Sequence, residues 1–148
     1  MPSVDFYILE QASGLKSLHY ACLLIEKAHQ QDQRVYIHTN SPEDAERIDM
    51  LLWTYRDDSF LPHSIYDAAD ENSPPIRIGF DKGYAASGND HVLVNLDKEI
   101  PSFFHKFNRI IEIVFSDPTV QQLARERFKK YRDQGCEMNT YKIKASEL

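Results

Sequence analysis

The sequence predicts an α/β fold, an open, mostly parallel sheet with helices on both faces, built as a single domain over residues 1–148. Three observations carry this. Short runs rich in β-branched and aromatic residues alternate with stretches of helical periodicity. The connections between them are short, as in repeated strand-helix-strand units. Two proline-led helix starts, Ser41-Pro42 and Asp117-Pro118, also stand where crossover helices have to begin.

The elements follow in order. Val4 to Leu9 (VDFYIL) and Arg34 to His38 (RVYIH) read as strands. Between them Leu18, Ala21, Cys22, Ile25 and Ala28 or His29 recur at helical spacing, which completes a strand-helix-strand unit. Ser41 offers a capping hydroxyl ahead of Pro42, and Glu43 and Asp44 place acids at the positive end of the helix dipole. That helix is expected to reach Trp53 or Tyr55. Arg56 to Pro75, with its acidic DAADEN and SPP breaker, reads as a long irregular stretch. Strands are expected at Ile76 to Phe80 and His91 to Leu96, a helix from about Pro101, and a strand at Arg109 to Phe115. Asp117 and Pro118 cap and open a final helix that Gly135 closes, and NTYKI adds an edge strand.

Composition narrows the function. The net charge is -6, which argues against general nucleic-acid binding, a task that needs several phosphates neutralised by Lys and Arg. Yet residues 119–134 hold Arg125, Arg127, Lys129, Lys130 and Arg132 against only Glu126 and Asp133. A basic patch on an acidic body suits a small acidic ligand better than a duplex. There is no apolar run long enough to span a membrane, and MPSVDFYILEQ lacks the pattern of a signal peptide, so the expected setting is cytoplasmic with no membrane contact. The two cysteines, Cys22 and Cys136, form no CxxC pair; Cys22 reads as a core thiol.

Sheets of this kind often hold nucleotides in glycine-rich turns. EQASGLKS, after the first strand, ends superficially like a phosphate loop, but the earlier glycine is missing and Leu15 separates Gly14 from Lys16. The five glycines are scattered and read as turns or caps. Six histidines show no ligand spacing, so no metal, cofactor or catalytic residue is assigned. The alternative is a small nucleotide- or phosphate-binding enzyme using the C-terminal edge of the sheet near Lys16 and His38.

Two surfaces stand out instead. On the last helix Val120, Leu123, Ala124, Arg127 and Tyr131 share a face whose apolar members are expected on the sheet, while Arg125, Lys129 and Arg132 form a second stripe beside Phe128. A cationic row bordering an aromatic fits a peptide that combines carboxylates with an apolar side chain. On the Ser41 helix, Ile48, Leu51, Leu52 and Tyr55 form the apolar stripe. Trp53 stands about 100° from Leu52, off that stripe. Phe60 and Leu61 follow in a polar loop that could bring them near Trp53, an aromatic group suited to a partner contact.

VDFYIL, AERIDMLLWTYRDDSFLPH and above all QQLARERFKKYR with GCEMNTY resemble the chi subunit of bacterial DNA polymerase III, nearly end to end. The resemblance implies a non-enzymatic, Rossmann-like adaptor of the clamp loader in DNA replication, with DNA contact mainly indirect. One surface of the family binds the acidic, Pro-Phe-ending C-terminal tail of single-stranded DNA-binding protein, and another binds the psi subunit or, in some members, a helicase. Carried over by position, the tail site comprises Arg125, Phe128, Lys129, Arg132 and Gln121. Phe128 stands where the family has a tyrosine and Gln121 where a lysine contributes, with Lys130 or Arg132 available to compensate. The psi surface comprises Trp53, Phe60 and Leu61.

Overall fold

The computed structural model describes residues 1–55, 61–65, 74–80 and 91–147. Among these residues seven strands form one sheet: β1 (Ser3–Leu9), β2 (Val35–His38), β3 (His63–Ile65), β4 (Ile76–Gly79), β5 (Val92–Asn95), β6 (Arg109–Val114) and β7 (Glu137–Ile143). Their order is β3-β4-β2-β5-β6-β1-β7, and every neighbouring pair is parallel. Parallel neighbours need crossovers. Helices α1 (Gly14–Gln30), α2 (Pro42–Thr54) and α3 (Pro118–Asp133) supply three of them.

The strand alternation sorts the core into two layers. Val35, Ile37, Ile76, Ile78, Val92, Val94 and Ile111 point to one face, where Cys22, Ile25 and Ala28 of α1 and Ala45, Ile48 and Leu52 of α2 cover them. Phe6, Tyr36, Leu93, Ile110 and Val114 point to the other face and meet Ala124 and Tyr131 of α3. The inner strands β2, β4 and β5 are buried along their whole length, which is why they read as continuous apolar runs rather than alternating ones. The Tyr55 hydroxyl donates to the Glu26 carboxylate and joins α2 to α1.

The helix starts follow the capping chemistry. Ser41 Oγ accepts the Asp44 N–H at 3.2 Å, with Pro42 at the first helical position. Asp117 accepts the N–H groups of Thr119 and Val120 at 2.9 and 3.1 Å, and Pro118 follows it. Past the end of α3, Gly135 takes φ 89°, a left-handed conformation open to glycine without strain.

Four expectations change. The stretch after α2 is not wholly irregular, because His63–Ile65 pairs with β4 as an edge strand. The helix expected from Pro101 shrinks to one 3₁₀ turn, Phe104–Lys106. Phe103 and Phe107 must both reach Tyr36, with ring centroids at 5.8 and 6.3 Å, before β6 begins at Arg109, and that leaves room for a single turn. Leu61, expected at an exposed partner surface, is 3% exposed within the α1–α2 core. Gly79 is a strand residue rather than a turn or cap.

Both cysteines are buried, and burial pushes the Cys22 thiol up to about 12. Among the described residues no helix is long and apolar enough to cross a membrane.

Gly79 has a steric reason for its identity. A Cβ there would lie 1.8 Å from the Tyr36 hydroxyl oxygen and 2.6 Å from its ring carbon. Gly79→Ala is expected to cost about 1–3 kcal/mol of stability through overpacking, measured by chemical denaturation. An unchanged midpoint would mean that Tyr36 does not hold this position.

Candidate functional site

The orientation of α3 starts from a carboxylate in the middle of β6. In RIIEIV, Ile110, Glu112 and Val114 point toward α3, so the pleat carries Glu112 into the core, where it is fully buried. Arg127 Nε donates to Glu112 Oε1 at 3.1 Å, while the Tyr131 hydroxyl and Asn95 Nδ2 donate to Oε2 at 2.7 and 2.9 Å. Arg127 also donates to the Lys98 carbonyl at 3.0 Å. Burial pushes the Glu112 carboxyl above its ordinary value, opposed first by the Arg127 guanidinium and then by the hydrogen bonds from Asn95 and Tyr131. Burial, followed by the charge of Glu112, raises the Tyr131 phenol as well.

With Arg127, Tyr131 and Ala124 turned inward, Gln121, Arg125 and Phe128 line the edge of α3 beside β1. There a groove of about 300 Å³ is lined by Phe6, Ile8, Val114, Ala124 and Thr140 together with those three residues. The Phe128 ring packs at 5.3 Å on Phe6, so the aromatic is half-buried and braced from below. The Arg125 side chain is exposed at the rim. An apolar cleft with a guanidinium at its lip can accept an apolar side chain and grip a neighbouring carboxylate.

Of the sequence-derived residues, the groove unites Gln121, Arg125 and Phe128. Lys129 and Arg132 are exposed on α3 outside its lining; Arg132 Nε lies 3.8 Å from the Asp133 carboxylate, a solvated contact. Arg127, counted among the local cations, is committed to the core. The strand walls, Phe6, Ile8, Val114 and Thr140, were not identified from sequence. Their signal was available in the period-two alternation of β1, which turns Phe6 and Ile8 to one face.

The second surface lies on α2. Trp53 is 50% exposed and its ring packs 4.6 Å from that of His63, while Met50, one turn earlier, is 63% exposed. His63 is buried beneath, with Nε2 3.0 Å from the Asp49 carbonyl and Nδ1 2.6 Å from that of Leu61. Phe60 lies outside the described residues. Trp53 therefore rests on a buried, hydrogen-bonded histidine and turns its ring to solvent beside an exposed methionine.

Lys16 and His38, paired in the enzyme alternative, line separate cavities. Lys16 borders one with Leu15, His19, Tyr20, Leu23 and Glu147. His38 ends β2, buried, with Nε2 3.2 Å from Asp97 Oδ2, in a cavity with Glu99, Ile100, Pro101 and Ser102. Among the described residues no group of three or more His, Cys, Asp or Glu is placed to hold a metal ion.

The sequence matches proteins of one family over nearly its whole length. A family model described as "DNA polymerase III chi subunit, HolC" matches residues 1–139. The DNA polymerase III subunit chi of Pseudomonas aeruginosa is 34% identical over 143 residues, covering 97% of this chain and 98% of its own length. That of Haemophilus influenzae is 33% identical over 141 residues, covering 95% and 97%. That of Escherichia coli is 28% identical over 144 residues, with the same coverage.

The buried ion pair makes a direct prediction. Glu112→Gln keeps the shape of the side chain but leaves the Arg127 charge uncompensated, so it is expected to destabilise the fold by about 3–5 kcal/mol. Denaturant unfolding measures this, and a loss below about 1 kcal/mol would mean that the pair does not anchor α3.

Proposed function

The chain belongs to the DNA polymerase III chi subunit family, and from that premise we propose that it is a cytoplasmic adaptor that works by binding two partners, without chemistry of its own, during DNA replication. The first partner is the acidic C-terminal tail of single-stranded DNA-binding protein, held in the groove between α3 and β1. The second is the psi subunit, or a helicase in its place, held at the Trp53 surface of α2. Contact with DNA is then mainly indirect.

The observation that carries the first half is the combination in one groove of Arg125, Phe128 and an apolar floor from Phe6, Ile8 and Val114. A tail ending in phenylalanine presents a terminal carboxylate, an aromatic side chain and preceding acids. The planar guanidinium of Arg125 can take the carboxylate through two parallel hydrogen bonds, and the cleft can enclose the ring. Lys129 and Arg132 are exposed along the same helix and add attraction that is strongest at low salt. Replacing the family's tyrosine by Phe128 removes a hydroxyl and keeps the ring.

For the second half, the support is Trp53. A half-exposed tryptophan braced on a buried histidine is pre-organised for contact, and residues of this type dominate binding energy at interfaces. Met50 extends the apolar surface. Leu61, being buried, acts by shaping the floor rather than by touching a partner.

Two measurements test this reading. Arg125→Ala is expected to weaken binding of a synthetic acidic peptide ending in Pro-Phe by about 1.5–3 kcal/mol, the scale of a lost charged hydrogen bond. Amidating the peptide should cost the unmodified protein a similar amount and the variant little more, because the two groups act as a pair; simple addition of the losses would place the carboxylate elsewhere. Trp53→Ala is expected to lower affinity for a psi-type partner by about 2 kcal/mol or more with peptide binding unchanged. Normal partner affinity combined with a lower melting temperature would assign Trp53 to the core instead.

A further inference from the structure

We infer that Lys142 on β7 is a second cationic anchor for the ligand of the α3 groove, acting from the wall opposite Arg125 on an acidic side chain that precedes the ligand's C-terminal residue. This rests on the reading of the groove as a site for an acidic tail, and it adds a residue that belongs to neither α3 nor its basic stripe.

The strand register places it. In the β1–β7 pair, Phe6 stands beside Thr140 and Ile8 beside Lys142. Phe6, Ile8 and Thr140 all line the groove. Side chains two apart on a strand share a face, and registered neighbours in a parallel pair do too, so Lys142 leaves the sheet on the groove side next to Ile8. The opposite face confirms the alternation. Tyr141 stacks on Tyr7 at 5.1 Å, and Tyr7 in turn packs on Tyr20 of α1, on the far side of the sheet from α3. The register is pinned as well, because Asn139 Nδ2 donates to Ser3 Oγ at 3.2 Å and Asp5 Oδ1 at 3.0 Å. Lys142 is exposed, so its ammonium is available.

Topology determines which end of the groove it serves. As the crossover between parallel strands β6 and β7, α3 runs opposite to the strands. Phe128, late in α3, meets Phe6, and the helix then runs back toward Gln121 as β1 advances to Ile8. Lys142 is therefore at the Gln121 end, where α3 itself supplies only a neutral amide to the groove. Strand neighbours are about 4.8 Å apart, and a lysine side chain extends beyond that distance, so the ammonium can stand over the cleft from the β7 side. β7 is the outermost strand of the sheet, so among the described residues no strand lies beyond it to cover this wall. A ligand with its terminal carboxylate on Arg125 and its ring against Phe128 then has its preceding acids within range of Lys142.

The test uses fluorescence anisotropy with two synthetic peptides, one carrying several aspartates ahead of Pro-Phe and one with serines in their place, both with free C-termini. Lys142→Ala is expected to weaken the acidic peptide about threefold, and Lys142→Glu about tenfold, the range of exposed ion pairs and their reversal. Neither change should alter binding of the serine peptide. Gln121→Lys, which puts the cation back on the α3 wall, should restore much of the affinity lost in Lys142→Ala. If Arg125→Ala weakens both peptides while Lys142→Glu leaves the acidic peptide unaffected, the groove reading stands and the role of Lys142 is overturned. Equal losses for both peptides in Lys142→Glu would also overturn it, by showing disturbance of β7 rather than a lost charge contact. If the unmodified protein binds neither peptide, the groove reading fails and this inference falls with it.

Discussion

The Glu112–Arg127 pair is the constraint on which the rest of the α3 surface depends. A helix lying on a sheet can satisfy its apolar stripe over a range of rotations, since burial of apolar area is not directional. A buried carboxylate with three donors is directional. Glu112 admits Arg127 at Oε1 and Tyr131 at Oε2 only from one side and at defined distances, and Asn95 ties Oε2 to the neighbouring strand. The seam continues through the Asn95 side chain to the Asp97 N–H and on to His38, so it crosses the middle of the sheet from α3 to β2. Such a network costs desolvation, and its contribution is specificity of arrangement as much as stability.

That arrangement also accounts for the clustering of cations in an acidic protein. The five positive residues between Arg125 and Arg132 do not form one patch. Arg127 neutralises a carboxylate inside the core, while Arg125, Lys129, Lys130 and Arg132 remain exposed. Of these, only Arg125 lines the groove, at its exposed rim beside the apolar cleft. The fields of the others reach through solvent over about a Debye length, roughly 8–10 Å at physiological salt. A net charge of -6 opposes extended contact with phosphates, yet it does not prevent a short acidic segment from binding where the local sign is reversed.

Much of the fold was legible because its determinants are local. Helix starts at Ser41-Pro42 and Asp117-Pro118 are written in side chains that reach their own backbone within three residues. The inner strands announce themselves as short apolar runs. The failures share a cause. The 3₁₀ turn at Phe104–Lys106 carries helical spacing but is limited by the demand that Phe103 and Phe107 both meet Tyr36. β3 is three residues long and exists through pairing with β4, a partner more than ten residues away. Leu61 follows a solvent-facing tryptophan by eight residues in the chain, yet its place just before β3 puts it in the core.

The sequence by itself determined the α/β class, the order of most elements, the two cationic and aromatic stripes on α3 and α2, and the family likeness, because propensity, capping and periodicity act over a few residues. It also placed Trp53 off the apolar stripe of its helix, from rotation alone. Only the tertiary structure decided which cation goes inside, which residues form the far wall of the groove and where Lys142 stands. Those outcomes depend on Glu112 meeting Arg127 and on Phe6 and Ile8 aligning with Thr140 and Lys142, pairs joined by strand order and register. Periodicity tells which side of a strand a residue occupies, but it contains no information about which strand lies next to it, and the groove is made by that adjacency.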